Sequence, residues 1–238
     1  MSRKAASMAL LLCMVGTAVA APPDLTGIWS MQADGKAAGV LNGVGDFQKT
    51  APFTPTARRR VSEYNGLVDP TGETPGTYCV QHGMPLAVFL GGGYPVEFVQ
   101  RPEQLTILYE GHREVRRVFL DGRKIDPADL LPSRDGTSWG HWEGDTLVVE
   151  TISLQDSIDQ PTAHSENARI VERYTPRMDG RMRRMKVEVT IHDPEFYSTP
   201  PVLAREYTQV IEGRMLDYDC PASAWEDHLE DLRNKARK

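Results

Sequence analysis

Ser138-Trp-Gly-His-Trp142 and Thr146-Leu-Val-Val-Glu-Thr-Ile-Ser153 stand on either side of Glu143-Gly-Asp145. Two short runs rich in aromatic and β-branched residues, joined by a tight glycine-containing turn, spell a β-hairpin. The unit recurs in both directions along the chain. Val96-Glu-Phe-Val-Gln100 and Leu105-Thr-Ile-Leu-Tyr-Glu110 flank Arg101-Pro-Glu-Gln104, and Glu114-Val-Arg-Arg-Val-Phe-Leu120 ends at Asp121-Gly122. Further on, Arg169 to Thr175 and Met182 to Ile191 flank Arg177-Met-Asp-Gly180, and Ala204 to Ile211 turns at Glu212-Gly213 into Met215 to Tyr218. Strands do not alternate with helices, so a parallel sheet is not expected. About nine or ten antiparallel strands in meander order predict an all-β, up-and-down barrel or a strongly curved sheet, since closure removes exposed edges. A two-sheet sandwich is the alternative.

Outside the strands the chain reads differently. Met1-Ser-Arg-Lys4, an apolar run from Ala5 to Val15 and the small residues through Ala20 read as a signal peptide over 1–20, its apolar run too short to span a bilayer. Residues 33–95 lack sustained periodicity and are rich in Gly, Pro and Thr, as expected for a loop-rich lid over one end of the scaffold. Within it only Thr54 to Tyr64 looks helical, with Thr54 as N-cap and Pro55 in the first turn. Ser223-Ala-Trp-Glu226 is a capping box that opens a short C-terminal helix within 221–238. One domain, 21–238, is expected.

Of the three cysteines, Cys13 falls in the apolar run, leaving Cys79 and Cys220. In an oxidising compartment a lone pair reads as one disulfide; two buried free thiols are the other reading. Loss of 1–20 removes Arg3 and Lys4, taking the formal charge from −6 to about −8 over about 218 residues. No basic stripe favours nucleic acid or an anionic membrane. Arg58-Arg59-Arg60 and Arg181, Arg183 and Arg184 read as solvated surface clusters. The expected location is periplasmic or secreted, with no integral membrane segment after cleavage.

The run Gly140-His-Trp-Glu-Gly-Asp-Thr-Leu-Val-Val-Glu-Thr151, preceded by Phe119-Leu-Asp-Gly-Arg123, resembles a family of secreted bacterial proteins for which no activity is settled. His164-Ser165, Val171-Glu-Arg-Tyr174, Thr190-Ile-His-Asp-Pro194, Tyr197 and Pro200 extend the likeness over residues 25 to 220. The resemblance implies a lipocalin-like β-barrel domain, and Leu25-Thr-Gly-Ile-Trp29 is the kind of G-x-W start that opens such barrels. A barrel of this size holds one small ligand.

Function then rests on which polar side chains point inward. Period-two alternation groups Ile170, Glu172 and Tyr174 on one face, and in the 114–120 strand either register sends one arginine, Arg116 or Arg117, inside. A buried Glu/Arg pair serves as a structural ion pair or holds a polar ligand. His141 lies between Trp139 and Trp142, while His164 and His112 fall at strand ends, the latter near Tyr109. A histidine oriented by a carboxylate is a general base near neutral pH. The catalytic expectation is therefore His141, Glu172, His164 and Tyr109, with Trp139, Trp142, Arg117, His112 and Tyr174 holding substrate. The histidines lack H-x-H or H-x-x-x-H spacing, so neither a metal nor another cofactor is expected. Ser165 beside His164 lacks a G-x-S-x-G elbow, which argues against a serine hydrolase. The predicted function is cofactor-independent acid/base chemistry of lyase, dehydratase or isomerase type on an apolar-bodied small molecule in a barrel pocket. The alternative is a periplasmic ligand-binding or carrier protein, and the oligomeric state stays open.

Overall fold

The computed structural model describes residues 21–31, 47–70, 74–89, 94–123, 125–220 and 234. The expected signal peptide, 1–20, lies outside the described residues, as does the expected C-terminal helix, 221–238, apart from Asn234. Nine strands close into a barrel: β1 (Gly27–Ser30), β2 (Val96–Gln100), β3 (Gln104–Tyr109), β4 (Glu114–Phe119), β5 (Thr137–Glu143), β6 (Thr146–Ile152), β7 (Arg169–Asp179), β8 (Met182–His192) and β9 (Val202–Val210). Each strand pairs with its sequence neighbour, and β9 closes on β1 through Ile28↔Val210.

One join departs from the expected antiparallel order. β4 and β5 run parallel, with Val118 opposite Ser138 and Phe119 opposite Trp139. The reason is parity. Around a closed ring the strand direction reverses an even number of times, so a ring of nine strands contains at least one parallel pair. A parallel join needs a crossover of roughly a dozen residues or more, and residues 120–136 supply it where the other mid-sheet joins are hairpins or loops. The barrel reading holds, and the strictly up-and-down order does not.

The registers sort the connections by end. The turns of β2–β3, β5–β6 and β7–β8 lie at one end, beside Gly27 and Val210. The segment between β1 and β2, the Glu110–Arg113 turn and the loops 153–168 and 193–201 open at the other, here called the mouth. The 120–136 crossover starts at the turn end and delivers Asp135 to the mouth.

Alternation fills the lumen. Trp29, Phe98, Leu105, Ile107, Val118, Leu147, Val149, Ile170, Tyr174, Val187 and Val189 are buried; the Phe98 ring lies tilted against Trp29, with centroids 6.5 Å apart, and meets Tyr174 edge on at 5.8 Å. The Trp29 indole N–H donates to the Leu25 carbonyl at 2.9 Å, so the ring is buried without an orphaned donor.

Helices of the described residues roof the mouth. In α1 (Pro55–Val68) the Thr54 hydroxyl accepts the Ala57 N–H at 3.2 Å and donates to the Glu195 carbonyl at 2.7 Å, tying helix start to barrel loop. Ala57 and Val61, one turn apart, are its buried face. The single turn α2 (Leu86–Phe89) is wholly buried, and the Tyr207 hydroxyl of β9 reaches up to the Val88 carbonyl at 2.6 Å. Cys79 and Cys220 form a disulfide with Cα atoms 5.7 Å apart. Among the described residues no helix is long and apolar enough to cross a membrane.

Candidate functional site

The expected site residues are scattered over the lumen, the outer wall, the joint between lid and barrel, and the mouth. Glu172 lies on the inward face of β7 and is fully buried, where it meets Arg116 rather than Arg117. The Arg116 guanidinium donates to both carboxylate oxygens at 2.7 and 2.5 Å, to Ser138 at 2.9 Å and to Thr151 at 2.8 Å. The Tyr174 hydroxyl also donates to Glu172. Burial and the neighbouring Glu172 charge push the Tyr174 hydroxyl well above its usual range, while Glu172 holds the guanidinium firmly charged against the desolvation it suffers. Every polar group of this cluster is paired inside a packed lumen, the pattern of a structural ion pair.

His141 is on the opposite face of the wall. In β5, Ser138, Gly140 and Trp142 face the interior, while Trp139, His141 and Glu143 face outward. The His141 side chain is 66 % exposed and contacts Glu143 at 3.3 Å. Its strand partner Val148 is one residue from the partner of Glu172, yet the sheet separates the two side chains. The structure therefore does not bring His141 and Glu172 together. Trp142 packs half-buried on the core toward the turn end, Trp139 lies half-buried on the outer face, and Arg117 is exposed on the outside of β4. His164 is fully buried, and its two ring nitrogens contact the backbone carbonyls of Met84 at 2.9 Å and Ser165 at 3.0 Å. It fastens the lid to the 153–168 loop and faces no open space.

Tyr109 and His112 are at the mouth, and around them gather residues that the sequence reading passed over: His82, Glu114 and Asp135. The His82 and His112 rings meet edge to face with centroids 4.5 Å apart, and the Tyr218 ring lies 5.0 Å from His112. Glu114 is 1 % exposed and accepts the Gly83 N–H at 3.1 Å. The Asp135 carboxyl lies near it. Gly83, at φ +68°, brings the lid within touching distance of Arg134, where a Cβ would sit 2.6 Å from the Arg134 carbonyl oxygen. Met84 N–H then donates to that carbonyl at 2.9 Å. Cys79, His112 and Arg113 all adopt left-handed backbone, at φ 58°, 60° and 52°. Such strain in non-glycine residues is held only by a surrounding structure that over-determines it, and it concentrates at functional sites.

Electrostatics follow from burial. Desolvation, the neighbouring His112 and Arg134 hold His82 down to about 4, so its imidazole is neutral at physiological pH. Burial lowers His112 as well. Desolvation and the Asp135 carboxyl push Glu114 up to about 9. Burial also raises Tyr109 well above the ordinary phenol range.

Beside His82 opens a cleft of about 350 Å³, walled by Tyr64, Val80, Leu86, Pro161, Arg134 and Asp159. Its walls are mainly apolar, and its size is at the lower end for small-ligand sites. Arg134 is held in place from Nε by the Gln81 carbonyl at 2.8 Å and from Nη2 by Asp159 at 2.9 Å. His82 also lines a small void on its other side with Glu114 and Tyr109. Among the described residues no three His, Cys, Asp or Glu side chains converge as a metal-binding group.

The signal for Glu114 was present in the alternation that carries Arg116 inward, because the two residues share a face of β4. His82 and Asp135 lie in loops without periodicity, and only the folded chain brings them together. Comparison with protein-family models, with curated proteins and with solved structures finds no match for this chain. What fold and site define is a class: a closed β-barrel with a packed lumen, whose loop-roofed mouth carries a histidine and carboxyl cluster beside an apolar cleft.

Proposed function

We propose that the protein takes a small, apolar-bodied molecule into the mouth cleft and performs cofactor-independent proton chemistry on it, of lyase, dehydratase or isomerase type. His82 carries the reading: a neutral imidazole in the wall shared by the 350 Å³ cleft and the void beside Glu114. A neutral imidazole accepts a proton from carbon or oxygen of a bound substrate. Arg134, clamped by Asp159 and the Gln81 carbonyl, offers fixed positive charge to an oxygen on which negative charge develops. The Cys79–Cys220 disulfide supports a periplasmic or secreted place of work.

The test follows α-proton exchange in D₂O by NMR over small aromatic and alicyclic ketones and β-hydroxy carbonyl compounds. Proton abstraction next to a carbonyl is the step that elimination, hydration and isomerisation of such compounds share. Wild-type protein should exchange at least one of them, and His82→Gln should slow that exchange by about 10²-fold or more with the melting temperature unchanged. Binding across the panel without exchange would replace the enzyme by a carrier that uses the same cleft.

A further inference from the structure

Glu114 and Asp135 present a problem of hydrogen bonding. Glu114 Oε2 and Asp135 Oδ1 are both buried, and neither meets an N–H or hydroxyl donor of the described residues. Ionised carboxylates only accept, so two carboxyls facing each other form a hydrogen bond only when one of them carries a proton. Glu114 Oε1 accepts the Gly83 N–H at 3.1 Å, while Oε2 has no partner among the described residues. Burying both as anions would add like-charge repulsion to the desolvation of each.

The void between Glu114, Tyr109, Tyr207, Tyr94 and His82 has a volume of about 10 Å³. That is room for roughly one water molecule, with polar partners on several sides. We propose that Glu114 and Asp135 hold a single shared proton and, through one water, serve as the proton acceptor behind His82. This rests on the reading of His82 as the acid/base group of the cleft.

The protons balance. His82 takes a proton from the substrate at one ring nitrogen and releases one from the other to the water. The water passes a proton to the singly charged pair, which becomes a neutral diacid. The return step reverses each transfer, and no oxidant or reductant is involved. Glu114 and Asp135 are positioning residues in this scheme, since neither lines the 350 Å³ cleft.

Around the pair, Glu97, Glu110, Arg113 and Asp217 line a cleft together with Glu114, and Tyr94 lines the void. His82 faces it from the lid, Tyr109 from β3 and Tyr207 from β9. Nearby, His112 packs on His82 from the Glu110–Arg113 turn, and Arg134, next in sequence to Asp135, has its guanidinium committed to Asp159 and Gln81. The high pKa of Glu114 is what a proton held in this way produces.

Two readouts test the proposal without a substrate. Infrared spectra of wild-type protein at pH 7 should show a protonated-carboxyl band that disappears in Glu114→Gln and in Asp135→Asn. Both variants keep shape and the Oε1 acceptor for Gly83, and circular dichroism checks that they fold. In parallel, the His82 ring resonance, assigned by its loss in His82→Gln, should show a second inflection where the pair titrates, absent from Asp135→Asn. A wild-type spectrum without the band at pH 7 overturns the shared proton. A band with a single-group His82 titration overturns the relay. Should both readouts appear while no compound of the exchange panel reacts, the pair stands and the enzymatic reading of the cleft fails.

Discussion

Arg116 and Glu172 are both buried in the lumen, and their worth lies in being a pair. Removing one partner leaves the other charged, desolvated and alone, which costs far more than the pair contributes. Glu172→Ala is expected to lose about 3 to 5 kcal/mol in denaturant unfolding. His141→Ala should change stability by less than about 0.5 kcal/mol, because the side chain is exposed and its contact is a surface ion pair. It should leave ligand retention in the mouth cleft untouched. Glu114 sets a pH dependence of its own. Its folded pKa is raised to about 9, so the folded state keeps a proton that the unfolded chain gives up near the ordinary carboxylate pKa. The stability it contributes is complete at pH values below that ordinary pKa and declines as pH rises toward about 9. His82 acts oppositely on the acid side: its pKa is depressed to about 4, so stability falls as pH drops from its ordinary value toward 4. Thermal melts across pH should show the alkaline decline flattened in Asp135→Asn, where an amide N–H can donate to an ionised Glu114.

At the scale of elements, two joints decide how the mouth is assembled. Thr54 caps α1 and at the same time holds the Glu195 carbonyl, so one hydroxyl serves the helix and its docking. Thr54→Ala should cost about 1 kcal/mol, read as a lower midpoint in urea with an unchanged slope. The second joint is the arrival of the 120–136 crossover at β5. Gly136 has φ +63°, and a Cβ there would lie 2.6 Å from the Ile152 carbonyl oxygen and 2.8 Å from Thr151 Cγ2. Both neighbours belong to β6, so the crowding cannot be relieved without disturbing the strand pair that opens at Thr137↔Ile152. Gly136→Ala should destabilise by more than about 1 kcal/mol, the opposite of the usual entropic gain from replacing glycine. Because Asp135 is the preceding residue, the same variant should also weaken the infrared signature of the carboxyl pair.

At the scale of the molecule, the disulfide links parts that the barrel alone leaves apart. After β9 the chain returns to the mouth along the outside: Leu216 N–H donates to Glu110 at 2.6 Å, and Tyr218 settles between Tyr94 and His112. Cys220 then joins Cys79, which follows the Pro75–Tyr78 turn in the cleft wall. The bond closes a loop across 141 residues, for which the chain-entropy estimate is about 5 kcal/mol. Non-reducing peptide mapping of oxidised protein should recover the Cys79–Cys220 peptide. Cys79→Ala should lower stability by about 2 to 5 kcal/mol and weaken binding in the cleft, through the loss of a wall rather than of any reacting group. Retained stability with free thiols in the native protein would contradict this.

The amino-acid sequence alone was enough for the local and periodic features. Hairpin turns such as Glu143-Gly-Asp145, the inward face of Ile170, Glu172 and Tyr174, the Thr54 cap and the Cys79–Cys220 pairing were all legible, because each depends on residues a few positions apart or on a choice between two cysteines. Alternation showed that one of Arg116 and Arg117 turns inward, but not which. That was decided by the partners waiting in the lumen, Glu172, Ser138 and Thr151, which come from three other strands. The histidines next to tryptophans and carboxylates in sequence misled for the same reason: His141 is near Glu172 in register yet faces the other side of the sheet. Only the tertiary structure decided that β4 and β5 run parallel, since the parity of a closed ring belongs to no single segment. Only it brought His82 from the lid, Glu114 from β4 and Asp135 from the crossover to one point, where desolvation lowers the proton affinity of His82 and raises that of Glu114.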